Sequence, residues 1–454
     1  MKKYVLAGAA ILACATLGSG KAEATTYSYT VVATNDLGMH CVCMTFDKFV
    51  LLPPFNTLRA QVIRKGSDPS VMASPTSIRV EYSIVEDTKA TLDADPYYQN
   101  WVTYAPKLFP TSQGYLPPKD ASGNYQSPFT GAKLSGQMTA HSTEGWWEVK
   151  GVPAYPVIDS NGIMIDPLGG PNRNPYLTAS VKAYDQATNT LLAQTTTVVP
   201  AGFGGCCSCH IQVAQNYGFP ATPEGSFEAM GYLHQRDNGI NIAQIDPDGD
   251  GIMGPIRCSQ CHLDPAMGES TPPGYAGYPT SQYTFSDVLH RFHVQSQAVQ
   301  TMDPNIATDC YKCHPGNGVN CYRGTHKTKT IGSHAIWCSD CHGDLNQRVA
   351  QNQMAYPWSD KTLPQCATCH GTTWGEGGGY LNTGIFGKYL NSRGHEDHQI
   401  LCSTCHGEPH GLYPSTLAKD NQEMINLQNS SLPLGGGSCN ACHTDRNYGG
   451  TPPH

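Results

Sequence analysis

The sequence predicts two unlike parts: an all-β, immunoglobulin-like sandwich over residues 25–200, then a mostly irregular region of short helices over residues 201–454. Three observations carry this. The first part contains alternating, β-branched and aromatic runs separated by turn residues. The second contains seven copies of Cys-x-x-Cys-His. Charged residues are 14% of the chain, with 47 Gly and 33 Pro, against about 25% charged in an average domain. The second part therefore needs a core that ordinary side chains do not supply.

Residues 1–24 read as a secretory signal that leaves Thr25 as the first mature residue. Lys2 and Lys3 give a positive start, Val5 to Leu17 is mostly apolar, and Ala22-Glu23-Ala24 is a small-x-small cleavage site. Ile11-Leu12-Ala13-Cys14 loosely resembles a lipoprotein cleavage box, which would leave a lipidated cysteine; the plainer reading makes Cys14 part of the apolar stretch. No later run approaches 18 uninterrupted apolar residues, so no membrane span is expected in the mature chain. Removing three lysines and one glutamate leaves 25 basic and 35 acidic residues, a net charge of −10. Such a surface disfavours nucleic acid and suits cationic metal species or basic partners.

In residues 25–200 the expected strands are Tyr27 to Ala33, Ile78 to Val85, Trp146 to Val149 and Leu177 to Tyr184. Ala183 to Val199 reads as a hairpin turning at Ala187 to Asn189, with Leu191 to Val199 as its second arm. A sandwich of antiparallel sheets accounts for this spacing of strands and turns. No catalytic constellation is visible there. Pro200 to Gly205 reads as a hinge before the first motif.

The motifs are Cys206/Cys209/His210, Cys258/Cys261/His262, Cys310/Cys313/His314, Cys338/Cys341/His342, Cys366/Cys369/His370, Cys402/Cys405/His406 and Cys439/Cys442/His443. With 19 Cys and 18 His in 454 residues, random placement gives roughly 0.03 such motifs per chain. Two thiols separated by two residues can each add to one vinyl group of a haem, and the histidine that follows can reach the iron as its proximal ligand. Zinc sites need paired Cys-x-x-Cys units without a histidine fixed after each, and short disulfide loops give the histidine no role. The sequence thus predicts seven haem c groups. First cysteines are spaced 52, 52, 28, 28, 36 and 37 residues apart, a weak hint of paired units.

What fills the sixth position of each iron separates an electron carrier from an enzyme. Candidate distal ligands are His234, His290, His293, His326, His334, His395, His398 and His410. His290 and His293, and likewise His395 and His398, are spaced i,i+3, so on a helix both rings project from one face and one helix can serve two neighbouring haems. His410 lies too near His406 to share its haem and should reach a neighbour. His40 and His141, in the β part, read as structural, although His40 could reach a haem of this or another subunit. No motif ends in Lys, the departure that multihaem nitrite reductases use at their catalytic haem.

Asp246, Asp248, Asp250 and Gly251 match the first half of a calcium loop, but position 12 is Arg257 rather than Glu. Calcium or a simple acidic turn fits equally. Cys41, Cys43, Cys207 and Cys321 lie outside the motifs and can form two disulfides in three connectivities.

The seven motifs, the export signal and the supply of histidines resemble the multihaem c-type cytochromes that metal-reducing bacteria use for extracellular electron transfer, including those that polymerise into filaments. The resemblance covers residues 206–454 and does not extend to the β part. It implies a soluble, exported carrier at the cell surface, not an enzyme, which passes electrons through mostly bis-histidine haems toward a metal oxide or another cytochrome, with self-polymerisation as one mode. The alternative is a multihaem oxidoreductase with one open iron that reduces a small oxyanion; a third is an adhesive β module that carries redox groups.

Overall fold

The computed structural model describes residues 28–264, 271–305, 309–315, 319–351, 369–370, 400–428 and 439–444. The expected signal with Cys14, together with Cys366, His395 and His398, lies outside them, as do the side chains of Cys207 and Cys439.

In chain order the first part holds β1 (Tyr29–Asn35), β2 (His40–Val42), β3 (Phe49–Val50), β4 (Asn56–Arg64), β5 (Ser70–Val71), β6 (Ile78–Ile84), β7 (Ser135–Gln137), β8 (Thr139–His141), β9 (Trp146–Val152), β10 (Tyr176–Asp185) and β11 (Leu191–Phe203). One sheet runs β1-β4-β9-β8, with β5 also on β4; the other runs β2-β11-β10-β6-β7. Val31, Ala33, Leu58, Ala60 and Val62 of the first sheet share one core with Val80, Tyr82, Val181 and Val199 of the second. The expected hairpin is present as β10–β11. Its turn is held by the Asp185 carboxylate, which accepts the N–H groups of Ala187 and Thr188.

The region is β-rich but not all-β. Between β6 and β7 lie α1 (Lys89–Asp93) and α2 (Pro96–Leu108). Asp95 caps α2 by accepting the N–H groups of Tyr97 and Tyr98, Pro96 opens it, and Tyr98, Trp101, Ala105 and Leu108 are buried. These aromatic residues are drawn into a helix by a cap and a long apolar face, which outweigh their strand propensity. The sheets are also mixed, because β11 pairs β2 in parallel with Ala201 opposite His40. Pro200 to Phe203 is therefore buried strand rather than a hinge.

The second part consists of short elements: α3 (Cys206–Asn216), α4 (Pro223–Asn238), β12 (Ile256–Arg257), α5 (Phe285–Gln295), α6 (Gln297–Met302), β13 (Thr330–Ile331), β14 (His334–Ala335), α7 (Cys338–His342), α8 (Leu345–Ala350), α9 (Cys402–His406) and α10 (Ala418–Gln428). The motifs beginning at Cys206, Cys338 and Cys402 open α-helical turns, and those at Cys258, Cys310 and Cys439 open 3-10 turns. None of the described helices is long and apolar enough to cross a membrane.

Alternation in β1 and β4 sends Thr30, Thr34, Thr57, Arg59 and Gln61 to the outer face of the first sheet, yet all are buried. The C-terminal segments cover them. Gln61 accepts the N–H of Leu401 at 3.1 Å, Gly66 N–H donates to Cys442 O at 3.3 Å, and Thr444 N–H donates to Gly66 O at 3.0 Å. The unpaired edge of β1 is capped by α10, whose Glu423 accepts the N–H of Ala33 and the hydroxyl of Thr195, both at 2.8 Å.

Burial pushes the Glu423 carboxyl up to about 8, whereas an unfolded glutamate titrates near 4.3. Between those values the native chain holds a proton that the unfolded chain has lost. Its contribution is therefore complete below the unfolded value and is lost as pH rises toward the folded one, at up to about 1.4 kcal/mol per pH unit. Guanidinium unfolding of Glu423→Gln should match the parent near pH 4 and exceed it at about pH 8. The same difference at both pH values would contradict this account.

Candidate functional site

The site is built from pairs of histidines that face each other, and its best-defined support is α5. Thr284 caps this helix by accepting Asp287 N–H, and Asp287 pairs with Arg291 at 3.1 Å one turn on. His290 and His293 then share a face. The Nδ1 atoms sit 2.7 Å from the carbonyls of Ser286 and Leu289, one turn back. A ring whose Nδ1–H is donated to a carbonyl presents Nε2 as its free lone pair.

His290 faces His314 with ring centroids 6.2 Å apart and planes 20° from parallel. His293 faces His210 at 6.2 Å and 73°. His326 faces His370 at 5.9 Å and 28°, and His342 faces His410 at 6.1 Å and 31°. A separation near 6 Å is ordinary for aromatic contacts. The pairing is not ordinary, because each pair joins one motif histidine to one non-motif histidine. His234, on α4, is the neighbour that acts on His262 after burial, and its Nδ1 is held 2.9 Å from the Ile240 carbonyl.

Burial holds the imidazoles of His210, His262 and His314 down to about 4 and that of His410 to about 3. It also lowers those of His290, His326 and His342. These rings are neutral near pH 7, the form that binds a metal. The buried Nδ1 atoms of His210, His262 and His410 have no hydrogen-bond partner.

The sequence assigns each motif cysteine a thioether, whose second carbon would come from a haem vinyl group. The exposure of these cysteines differs within a motif. Cys206, Cys310 and Cys338 are half-buried, whereas Cys209, Cys313 and Cys341, three residues on, are exposed, as is Cys369. The first, third and fourth motif turns thus seat their first cysteine and leave the second on the open side. Cys258 and Cys261, Cys402 and Cys405, and also Cys442, are half-buried, so the second and sixth motifs seat both of their cysteines.

The spacing of the rings fits an iron between them. Two metal–nitrogen bonds of about 2.0 Å, plus about 1.1 Å from each nitrogen to its ring centre, span about 6.2 Å. With two cysteines preceding each motif histidine, the donor set is that of a covalently held haem.

His410 is fixed by close backbone packing. Its carbonyl accepts the N–H groups of Arg323 and Gly324 at 2.9 and 2.7 Å, and a Cβ on Gly38 would lie 2.9 Å from its nitrogen. Arg323, fully buried, donates to Asp420 at 2.7 Å, to Gly38 O at 2.6 Å and to Glu408, with its guanidinium 4.9 Å from the Tyr176 ring centre. Burial raises the Asp420 carboxyl. Neither Gly38 nor Arg323 carries a motif that sequence reading could detect.

The other expected positions fall elsewhere. His334 is exposed on β14 and bonds Asp340 at 2.9 Å, inside the fourth motif, rather than facing a motif histidine. Within the described residues the backbone at His406 accepts Tyr413 N–H, and His443 bridges Gly66. His40 pairs with Asp36 at 2.7 Å, and His141 lies 5.2 Å from Trp146. Asp246, Asp248 and Asp250 do come together, their carboxylate oxygens within 4.8 Å of one another. Lys107 of α2 reaches Asp248 and Asp250, both at 3.1 Å, and so places an ammonium group among them. Arg257, at the would-be twelfth position, is buried against Tyr115 and Gln260 instead. Cys41, Cys43 and Cys321 are free thiols.

Comparison with known proteins finds no matching family model, no matching curated protein and no matching solved structure.

Two substitutions test how His410 is held. Gly38 has φ +78°, so Gly38→Ala should destabilise the fold by roughly 1–3 kcal/mol. Arg323→Leu strands Glu408 and Asp420 and should cost about 3–5 kcal/mol. Chemical denaturation of each variant measures both, and a loss well under 1 kcal/mol for Arg323→Leu would mean that the network is not holding the segment.

Proposed function

We propose that this chain is an electron carrier that holds seven haem c groups by thioether bonds to its Cys-x-x-Cys cysteines, with mostly bis-histidine iron ligation. The observation that carries the reading is the set of facing pairs, motif histidine against non-motif histidine, at 5.9–6.2 Å. Haem would supply a one-electron iron couple. The chain contributes the rest: cysteines that anchor the group, with the exposed Cys209, Cys341 and Cys369 and the half-buried Cys405 among them, motif histidines as proximal ligands, and His293, His234, His290, His410 and His326 as sixth ligands for the first to fifth sites. Two strong ligands close an iron to small substrates, which favours electron transfer over catalysis. For the sixth and seventh sites, His395 and His398 are the ligands the sequence offers, and they lie outside the described residues.

The wider reading follows the resemblance to extracellular multihaem cytochromes. The chain is exported, receives electrons from a periplasmic donor and delivers them to a metal oxide or another cytochrome. The β region serves as an immunoglobulin-like docking or polymerising module. The net negative charge supports basic or cationic partners over nucleic acid.

Purified protein should carry seven haems by mass. His290→Ala and His293→Ala should each convert one haem from six-coordinate low-spin to five-coordinate high-spin by electron paramagnetic resonance, while His334→Ala changes none. An unchanged spectrum in both helix variants would sink the ligand assignment. Spectral shifts of the parent on adding nitrite or carbon monoxide would favour the oxidoreductase instead.

A further inference from the structure

Sequence order does not give the order of the sites in space. We infer that the first five sites run second–first–third–fourth–fifth, with the third as the junction between the pair formed by the second and first sites and the pair formed by the fourth and fifth. This rests on the histidine assignments proposed above. It follows from contacts between the segments that build each site, each link having its own observation.

The first and third sites share α5, which sends His293 to His210 and His290 to His314. Their motifs also touch through the backbone: Gly205 N–H donates to Cys313 O at 2.9 Å, and a Cβ on Gly205 would lie 2.4 Å from Lys312 O. The residue before the first motif must be glycine for this approach. The third and fourth sites meet where the side chains of Cys310 and Cys338, the first cysteines of their motifs, come together. The ring of Tyr311, inside the third motif, packs at 5.3 Å against that of Trp337, which precedes the fourth.

The fourth and fifth sites are joined by a short backbone ladder. Arg323 and Gly324 donate to His410 O, and Thr325 donates to Leu412 O at 2.8 Å, immediately before His326. The second site is tied to the first by α4, which carries His234 and packs on α3 through Val213, Ala214, Ala229 and Leu233. Cys41 and Cys43, two residues apart, neighbour Cys206 and Cys258 respectively.

An electron entering at the second site would therefore reach the third through the first, although the second motif precedes the third in sequence. Each transfer moves one electron, the donor site going from ferrous to ferric and the acceptor from ferric to ferrous, with no bond made or broken. The sixth and seventh motifs, on the outer face of the first sheet, are not placed on this line.

Electron cryomicroscopy of the haem-loaded full chain tests the order directly. The expected nearest-neighbour irons are second to first, first to third, third to fourth and fourth to fifth. A map in which the second iron neighbours the third but not the first overturns the order while leaving the ligands intact. A map in which these histidines do not ligate overturns the assignment beneath it. Gly205→Val supplies a kinetic check by pushing the first motif from the third. Electron exchange after flash reduction should slow severalfold, with seven haems and the low-spin spectrum retained. Unchanged exchange in a variant whose map shows the two motifs moved apart would contradict a junction at the third site.

Discussion

The motif-bearing part of this chain depends on the β framework for its position. Its own apolar clusters among the described residues are small, for example Val213, Ala214 and Ala229, or Phe227, Ile245 and Ile256. The main core belongs almost wholly to the first part, to its two sheets together with α2 and the loops between them. Strand pairing and single backbone hydrogen bonds do the seating. β11 runs directly into the first motif, β12 pairs β3 just before the second, and Gly66 binds the seventh. Gln61 fixes the residues at the start of the sixth. A backbone bond fixes register as well as proximity, which loose apolar packing would not.

That seating leaves the histidines to be oriented one by one. A ring can be poised only if its other nitrogen is occupied or its backbone is locked, and both devices occur here. His234, His290 and His293 are fixed through Nδ1 and a carbonyl. His410 is fixed through its own carbonyl, the close approach of Gly38 and the buried Arg323 network. A buried arginine with two carboxylates adds little net stability compared with an apolar core. It does fix one geometry where the 320s and the 408–420 segment meet β10 and the chain between β1 and β2.

Much of this was legible in the sequence. The motifs marked seven histidines, and the i,i+3 spacing of His290 and His293 puts both on one helical face, which the structure turns toward His314 and His210. Proximity in sequence was enough to assign His410 away from His406. The β10–β11 hairpin follows from alternation and its turn. Three things were not legible. α2 is made of residues with strand propensity, which mask the local helix start that Asp95 and Pro96 supply. β4 alternates clearly, but its polar side is buried rather than solvated, because a segment more than 300 residues away covers it. His334 had the right residue type in the right stretch, and the β13–β14 hairpin carries it to the surface.

The pairings also show how the motif segments are connected. Seven copies of one motif suggest a string of similar units, and in true repeat proteins each unit contacts only its neighbours. Here the pairings cross over. His234 follows the first motif and neighbours His262 of the second; His293 follows the second and faces the first. His326 follows the third motif and faces the fifth, and His410 follows the sixth and faces the fourth. Removing the first, second, third or sixth motif segment would take away a histidine that stands beside a different motif. The pairs therefore cannot form one after another as the chain lengthens; that of the fourth motif waits for residue 410 and that of the first for residue 293. An arrangement so interlocked gains cooperativity from cross-links that no single repeat contains, which is why a chain with so few apolar contacts in its second part can hold several precisely spaced histidine pairs.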